Sequence, residues 1–147
     1  MSDIARNKQA AYKYNFLEKW EAGLQLQGSE VKSLRNGGVQ LKDAFATVRD
    51  GEVWLHNMHI APYAPASREN HEPERERKLL LHKGEIERLI GRTAEKGLTL
   101  IPTRLYWKNG RAKVEIALAR GKNVQDKRRY LKEKDARREI QQALQDR

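Results

Sequence analysis

The chain has 147 residues, of which 38% are hydrophobic and 34% are charged, and its formal net charge at pH 7 is +10. This length predicts one domain, and the positive charge favours a polyanionic partner such as nucleic acid or an anionic membrane. There is no cysteine, which excludes disulfides, thiolate chemistry and cysteine-ligated zinc. The sequence shows no signal peptide and no stretch near the roughly 20 apolar residues that span a bilayer, so we expect a cytoplasmic protein without membrane contact.

The first segment with a periodic pattern, residues 12–28, has apolar residues at two-residue spacings. This spacing predicts strands with a break near Gly23. Ser29 is the predicted N-cap of a short helix that follows, and Gly37 is one of two glycines that end it.

Two hairpins are predicted from turn dipeptides. Residues 39–63 contain two strands joined at Asp50-Gly51, and residues 98–122 contain two more joined at Asn109-Gly110. Both dipeptides tolerate the positive φ values that a two-residue hairpin turn requires. Antiparallel pairing is therefore expected in both segments.

The region between the hairpins divides into a loop and a helix. Residues 64–77 are polar and aperiodic, which predicts a mobile loop. One helical stripe follows, ended by Gly97. The stripe consists of Ile86, Leu89, Ile90 and Ala94.

About six strands and two short helices thus precede Gly121, and consecutive or hairpin-linked strands predict an antiparallel sheet. We expect this sheet to be a small OB-like β-barrel, mostly β, formed by residues 1–120. Residues 1–120 carry a net charge of +6 and residues 121–147 a net charge of +4. A basic barrel joined to a basic tail suggests two nucleic-acid contacts by one molecule.

The tail, residues 121–147, differs in kind from the barrel. Its residue types favour helix, but an isolated helix of this length is marginal in water. We therefore expect a tail that is flexible and disordered when free and that becomes helical against a partner. Its apolar residues are too sparse to dock firmly on the barrel: Leu131, Ile140, Ala143 and Leu144.

No enzyme or metal motif is present. His56 and His59 are three residues apart, so on a strand they point to opposite faces, which is the wrong spacing for a shared ion. The fold could bring His71 or His82 near, but we expect structural or surface roles. The charges of one loop alternate in sign: Glu72, Glu74, Arg75, Glu76, Arg77 and Lys78. Such alternation predicts a solvated surface. Without a phosphate loop, a nucleophile elbow or H-E-x-x-H, we expect no catalysis and no cofactor.

Aromatic residues stand beside Lys or Arg in YKYNFLEKW and RLYWKNGRAK. Rings can stack on unpaired bases while cations follow phosphates, although the same rings could instead fill the core. The rings concerned are Tyr12, Phe16, Tyr106 and Trp107. Glu21 and Glu30 could accept hydrogen bonds from bases or riboses, or could be ordinary surface or helix-start acids.

The order of the motifs resembles one family. ARNKQAAYKY, EAGLQLQGSEVKSLRNG, HIAPY, RKLLLHKGEIERL, KGLTLIPTRLYWKNGRAKVEIALARGK and DKR follow one another along the chain. This combination closely resembles the small protein B family, the SsrA-binding proteins of bacteria, from about Ala5 to the end.

The resemblance implies a non-enzymatic protein with an OB-like barrel, flanking helices and a flexible tail. Such proteins bind the tRNA-like domain of transfer-messenger RNA. Together with elongation factor Tu, they deliver this RNA to ribosomes stalled on messages that lack a stop codon. The tail is implied to enter the empty decoding site and mRNA channel of the small subunit and to fold there into a helix. A generic OB-type RNA-binding or ribosome-associated protein without a rescue role is the alternative.

The resemblance also implies two sets of site residues. The RNA-facing positions of the barrel are Asn7, Lys8, Glu21, Leu80, His82 and Lys113, with Lys32 and Arg35 as helix-surface cations. The decoding-site positions of the tail are Gly121, Lys122, Gln125, Asp126, Lys127 and Arg128. Gln125 departs from the family pattern, because members usually carry a His or an aromatic residue there, and its amide offers hydrogen bonds with only weak stacking.

Overall fold

Nine strands and four helices form the part of the chain that the computed structural model describes, which comprises residues 2–66, 70–95, 97–122 and 124–145. In chain order they are β1 (Ser2–Arg6), α1 (Ala10–Lys13), β2 (Tyr14–Leu24), α2 (Gly28–Arg35), β3 (Val39–Gln40), β4 (Phe45–Arg49), β5 (Glu52–His56), β6 (His59–Ile60), β7 (Arg77–Leu80), α3 (Lys83–Thr93), β8 (Leu98–Lys108), β9 (Arg111–Gly121) and α4 (Val124–Gln145). A 3₁₀ turn covers Ala64–Ala66. Across these described ranges, no helix combines the length and the apolar composition needed to cross a membrane.

The strands build an antiparallel barrel of OB type. Seven strands pair in the order β1-β8-β4-β5-β7-β2-β9, and β8 also pairs with β9, so the pairing returns to β8. Two links in this ring are thin: β4 meets β8 at the pair Ala46 and Leu100, and β2 meets β7 at two pairs. The predicted OB-like barrel is confirmed, although it is not strictly closed.

Both predicted hairpin turns are confirmed. Asp50 and Gly51 have φ values of 53° and 73°, and Asn109 and Gly110 have φ values of 53° and 74°. Asp and Asn tolerate this left-handed conformation better than most residues, and glycine adopts it freely. The β4–β5 and β8–β9 pairs therefore form where the sequence indicated.

Alternation along β9 separates core from surface. Ala112, Val114 and Ile116 point inward and are buried, whereas Lys113 and Glu115 point outward and are half-buried. The period of two residues in a strand causes this division. The outer face of β9 is thus available for a binding surface.

The sequence predicted about six strands before Gly121, whereas the described part of the chain has nine strands, the last of which ends at Gly121. Five elements were not predicted, because they are short and lack a turn dipeptide like the one that marked β4 and β5: β1, β3, β6, β7 and α1. The predicted break near Gly23 is wrong, because β2 runs without interruption from Tyr14 to Leu24 and pairs along its length with β9.

The N-cap of α2 also differs from the prediction. Gln27 caps this helix, and its backbone N–H donates a hydrogen bond to Glu30 at 2.8 Å. Ser29 is instead buried, and its hydroxyl contacts His71 Nδ1 at 2.8 Å. The helix itself is confirmed.

The predicted stripe of α3 is narrower than expected. Leu89 is fully buried, but 45% of Ile90 is exposed. Arg88 Nε lies 2.7 Å from Glu18 Oε1, so an ion pair with β2 adds to the apolar contact that Leu89 makes with the core. The prediction that Gly97 ends this helix is wrong: α3 ends at Thr93 with Ala94 as its C-cap, and Gly97, with a φ of +85°, lies three residues later, directly before β8.

The expectation of a solvated charge run is confirmed for Glu72, Glu74 and Glu76, which are exposed, but it is wrong for Arg77, which anchors the loop between β6 and β7. Arg77 is fully buried, and its Nε lies 2.5 Å from the equally buried carboxylate of Glu30. Arg75 Nη2 donates to the same carboxylate at 2.6 Å. Glu30 is therefore a core residue and no RNA contact. Residues 67–69 of the predicted mobile loop lie outside the described residues.

The tail forms α4, and its contact with the rest of the chain lies near its start. The rings of Tyr130 and Tyr12 have centroids 6.4 Å apart and join α4 to α1. Leu131, Ile140 and Leu144 remain between 44% and 61% exposed, which agrees with the expected lack of a docking stripe. That the tail is disordered when free remains a prediction.

Candidate nucleic-acid interface

Four of the predicted RNA-facing residues line one open depression of about 730 Å³. Glu21 comes from β2, Leu80 from the end of β7, His82 from the start of α3 and Lys113 from β9. Sequence separation between them reaches more than 90 positions, so the barrel closure brings them together. The depression thus combines a carboxylate, a lysine ammonium group, an imidazole and an apolar side chain.

Gly23 makes the close approach of two of these residues possible. It is the strand partner of Leu80 on one side and of Lys113 on the other. A Cβ at this position would lie 3.2 Å from Leu80 Cβ and 3.5 Å from Lys113 Nζ. The glycine of the EAG segment thus permits a packing that a larger residue would disturb.

Glu21 is held in its ionised form at the surface. Tyr106 donates its hydroxyl hydrogen bond to this carboxylate, and Lys108 Nζ lies 3.1 Å from Oε1. The hydrogen bond from Tyr106 holds the pKa of Glu21 below its usual range, while slight burial acts in the opposite direction and Lys108 adds to the lowering. Since 37% of the side chain stays exposed, the carboxylate can also accept hydrogen bonds from a ligand.

Tyr106, whose hydroxyl holds the Glu21 carboxylate, is itself fixed in place. It is 2% exposed, because the guanidinium of Arg104 covers it at 4.4 Å from the ring centroid. Asp3 and Glu115 hold Arg104 at 3.1 Å and 3.4 Å. Burial and the hydrogen bond to Glu21 both raise the pKa of Tyr106, so the hydroxyl stays a donor.

Leu80 and His82 stand on the opposite side of Gly23 from Lys113. Leu80 is 51% exposed, so its apolar side chain is accessible to a ligand in the depression. His82 is the N-cap of α3, and its backbone N–H donates to Glu85 Oε1 at 3.0 Å. The capping box fixes the backbone at His82. His82 itself is exposed and lines the depression.

The other predicted barrel residues do not join this depression. Asn7 is half-buried, and its Nδ2 donates to the carbonyl of Pro102 at 3.0 Å, so its contact with RNA stays a prediction. Lys8 beside it is exposed and lines separate recesses. Lys32 lies on α2 with its Nζ 5.6 Å from the centroid of Tyr63, and Arg35 is exposed on the same helix.

The predicted tail residues are only partly described. Gly121 ends β9 as the partner of Tyr14. Lys122 binds α1 through its N–H, at 2.8 Å from the carbonyl of Lys13, and through its Nζ, at 2.6 Å from that of Ala11. Lys127 Nζ lies 5.5 Å from the ring centroid of Tyr12. Arg128 is exposed, whereas the side chains of Gln125 and Asp126 lie outside what is described.

The histidine pair has structural contacts. His56 Nε2 lies 2.7 Å from Thr47 Oγ1, and its ring stacks on Phe45. His59 Nδ1 lies 3.7 Å from Glu74. Among the residues with described positions, no group of three or more His, Cys, Asp or Glu could hold a metal ion.

Sequence reasoning missed three contributors: the spacer Gly23, the pairing of Tyr106 with Glu21, and the tail contact of Tyr130. A glycine inside a strand pattern was a signal that could have found the first, because such a glycine often marks close backbone or side-chain approach. The other two join residues 85 and 118 positions apart and leave no local pattern.

Comparison with known proteins gives one consistent result. The chain matches the family described as SmpB protein over residues 4–146. It is 58% identical over 144 residues to the SsrA-binding protein of Bacillus cytotoxicus, covering 98% of this chain and 93% of the relative. It is 57% identical over 141 residues to the SsrA-binding protein of Sulfurihydrogenibium sp., covering 96% and 93%. A solved chain described as "tmRNA-SmpB: a journey to the center of the bacterial ribosome" superposes with a TM-score of 0.69 at 50% identity, covering 82% of this chain and 85% of that chain.

Proposed function

The chain belongs to the SmpB protein family, and from that premise we propose that it is an RNA-binding adaptor of trans-translation. It binds the tRNA-like domain of transfer-messenger RNA and delivers it to stalled ribosomes, with elongation factor Tu as an indirect partner. The relatives are SsrA-binding proteins, and the description of the similar solved chain names tmRNA-SmpB and the bacterial ribosome. The generic RNA-binding alternative is not favoured.

The observation that carries the proposal is the depression formed by Glu21, Leu80, His82 and Lys113. A carboxylate beside a lysine suits a folded RNA surface, since the acid accepts hydrogen bonds from ribose hydroxyls or base amino groups while the cation neutralises a phosphate. Leu80 adds an exposed apolar contact for a base or sugar face. These contacts require binding and orientation alone, so we propose no bond chemistry for this protein.

The tail supplies the second contact. Residues 121–147 carry a net charge of +4, and α4 is exposed along most of its described length. A basic helix without an apolar partner on its own barrel fits a groove of ribosomal RNA, such as the decoding site and the mRNA channel. A full-length message occupies the same path, so binding there would select ribosomes whose message has ended. Residues 1–120 then bind one RNA and residues 121–147 another.

Two variants of the full-length chain test this division of labour. Glu21→Ala should lose affinity for the tRNA-like domain and therefore all rescue of stalled ribosomes. Lys127→Ala combined with Arg128→Ala should keep that affinity and lose rescue in a reconstituted translation system. Arg137→Ala combined with Arg138→Ala removes the same charge later in α4 and should lose less. Loss of affinity for the tRNA-like domain in the Lys127 and Arg128 variant would contradict the proposal.

A further measurement separates the adaptor from a generic binder. The wild-type protein should prefer the folded tRNA-like domain over an unstructured RNA of equal length in a competition assay, because its depression is built for a shaped surface. Equal affinity for both RNAs would favour the generic role.

A further inference from the structure

A second recess, of about 340 Å³, adjoins the RNA depression. The two share Gly23, Leu80 and Lys113 as lining residues. Four further side chains give the recess its apolar wall: Leu24, Leu26, Val31 and Trp107. Leu24 ends β2, Leu26 lies in the connection to α2, Val31 lies in α2 and Trp107 lies near the end of β8. The recess therefore lies where these segments meet beside the β8–β9 hairpin.

We propose that this recess binds one unpaired base of the same RNA, with Trp107 as the aromatic surface. The inference rests on the proposed function and extends it by a base-binding subsite. It assigns a ligand to Leu26 and Val31, which had no role so far, and for Trp107 it chooses base stacking over the core role that the sequence left open.

The chemistry of the wall favours a base over a phosphate or sugar. Bases are flat and apolar on both faces, and single-stranded RNA presents them to aromatic side chains for stacking. Trp107 is half-buried and packs against the core, so its ring is held in place and still lines the recess. A recess of 340 Å³ is at the lower end of small-ligand pockets and is short for an amphipathic helix, which needs an extended groove.

The rim of the recess is positively charged, which argues for a nucleotide over a neutral apolar partner. Arg111 is exposed and lines the recess next to the hairpin turn. Lys113 borders both the recess and the depression, so one ammonium group can neutralise the phosphate that connects a nucleotide in the depression to a base in the recess. The continuity of the two surfaces therefore matches a continuous RNA chain.

Other rings near the depression are already engaged. Tyr106 is 2% exposed under the guanidinium of Arg104. Trp54 is covered by Arg49, whose guanidinium carbon lies 4.9 Å from its ring centroid. Trp107 lines an open recess, and this geometry distinguishes its ring from the other two.

Binding of the tRNA-like domain by full-length Trp107 variants tests the subsite. Trp107→Leu keeps an apolar side chain without a ring and should weaken binding about tenfold, within the range reported for one stacked base. Trp107→Phe should restore most of the affinity. Trp54→Leu, at a ring that lines neither cavity, is the matched control and should bind as the wild type does.

Salt dependence separates stacking from charge. Because a stacked base releases no counterion, Trp107→Leu should weaken binding by the same factor at every salt concentration. Lys113→Ala should instead reduce the magnitude of the salt slope by about 1. A changed slope in Trp107→Leu would overturn the inference.

Ultraviolet crosslinking of the wild-type complex, followed by mass spectrometry, gives a readout that does not depend on how the variants fold. The peptide containing Trp107 should carry a nucleotide adduct, and its absence would overturn the inference. Equal RNA affinity of Trp107→Leu and wild type would do the same, and lost rescue at equal RNA affinity would assign the recess to a protein partner. The wild-type preference for the tRNA-like domain, measured in the same titrations, tests the proposed function separately.

Discussion

Arg77 and Glu30 form an ion pair that is sealed from solvent: Nε and Oε2 lie 2.5 Å apart, and both side chains are fully buried. Arg77 also donates to the carbonyls of Met58 and Pro73, so its guanidinium is satisfied on three sides. This pair connects α2 to β7, the strand that ends at Leu80. The candidate RNA surface is therefore supported by a buried charge pair that never touches the ligand.

Removal of one partner of this pair should strongly destabilise the protein. We expect Glu30→Ala to lower the free energy of unfolding by about 3–5 kcal/mol, because it leaves the Arg77 charge buried without a partner. Urea denaturation followed by circular dichroism measures this value. Arg49→Ala, which removes an exposed pair with Glu76 at 3.2 Å and the contact of its guanidinium with Trp54, should cost at most about 2 kcal/mol. Similar losses in both variants would contradict the structural role of the buried pair.

The same pair predicts a pH dependence of stability. Burial alone would raise the pKa of Glu30, but hydrogen bonds from Arg75, from the Gln27 backbone and from Arg77 more than offset it, so the pKa lies below the ordinary value of 4.5. A carboxylate with a lowered folded-state pKa stabilises the fold above its unfolded pKa and loses that contribution as the pH falls. The free energy of unfolding should thus fall below about pH 4.5.

Glu30→Gln isolates this contribution, since it removes the titrating group but keeps the shape of the side chain. Unfolding titrations between neutral pH and the acid range should show a smaller acid-induced loss in this variant than in the wild type. Parallel pH curves for the two proteins would show that other carboxylates, such as Asp3 and Glu21, cause the acid instability.

Gly23→Ala should weaken RNA binding without a contact of its own to RNA. Its Cβ would lie 3.2 Å from Leu80 Cβ, so Leu80 must shift by a few tenths of an ångström, whereas Lys113 Nζ at 3.5 Å would be in ordinary contact. We expect affinity for the tRNA-like domain to fall about tenfold, which corresponds to about 1.4 kcal/mol. Gly91→Ala in α3 is the control, because no atom lies within 4 Å of its Cβ position, and alanine should leave binding unchanged and stabilise the helix.

Tyr12→Leu should loosen the start of the tail helix. The ring pair of Tyr12 and Tyr130 and the approach of Lys127 to Tyr12 at 5.5 Å hold α4 against α1. An aromatic pair of this kind contributes about 0.5–1.5 kcal/mol, so its loss should speed amide exchange several-fold in residues 127–134. Exchange in the barrel strands should stay the same. Unchanged exchange in α4 would mean that the ring contact does not order the tail.

Local patterns in the sequence were sufficient for several elements. Asp50-Gly51 and Asn109-Gly110 predicted both hairpins, because positive φ is a property of the residues at the turn. The stripe of α3 was predicted too broadly, since 45% of Ile90 is exposed. Of the predicted barrel sites, Glu21, Leu80, His82 and Lys113 meet at one depression, whereas Asn7 and Lys8 lie elsewhere.

By itself, the sequence determined the hairpins and, through the order of its motifs, the family. Backbone preferences and strand alternation act within a few residues, so one chain segment carries them. Only the tertiary structure decided that Arg77 is buried in an ion pair with Glu30, and that Gly23 lies between Leu80 and Lys113. These relationships depend on which segments lie opposite one another in the barrel, because burial and strand register are set by partners that are distant in the chain.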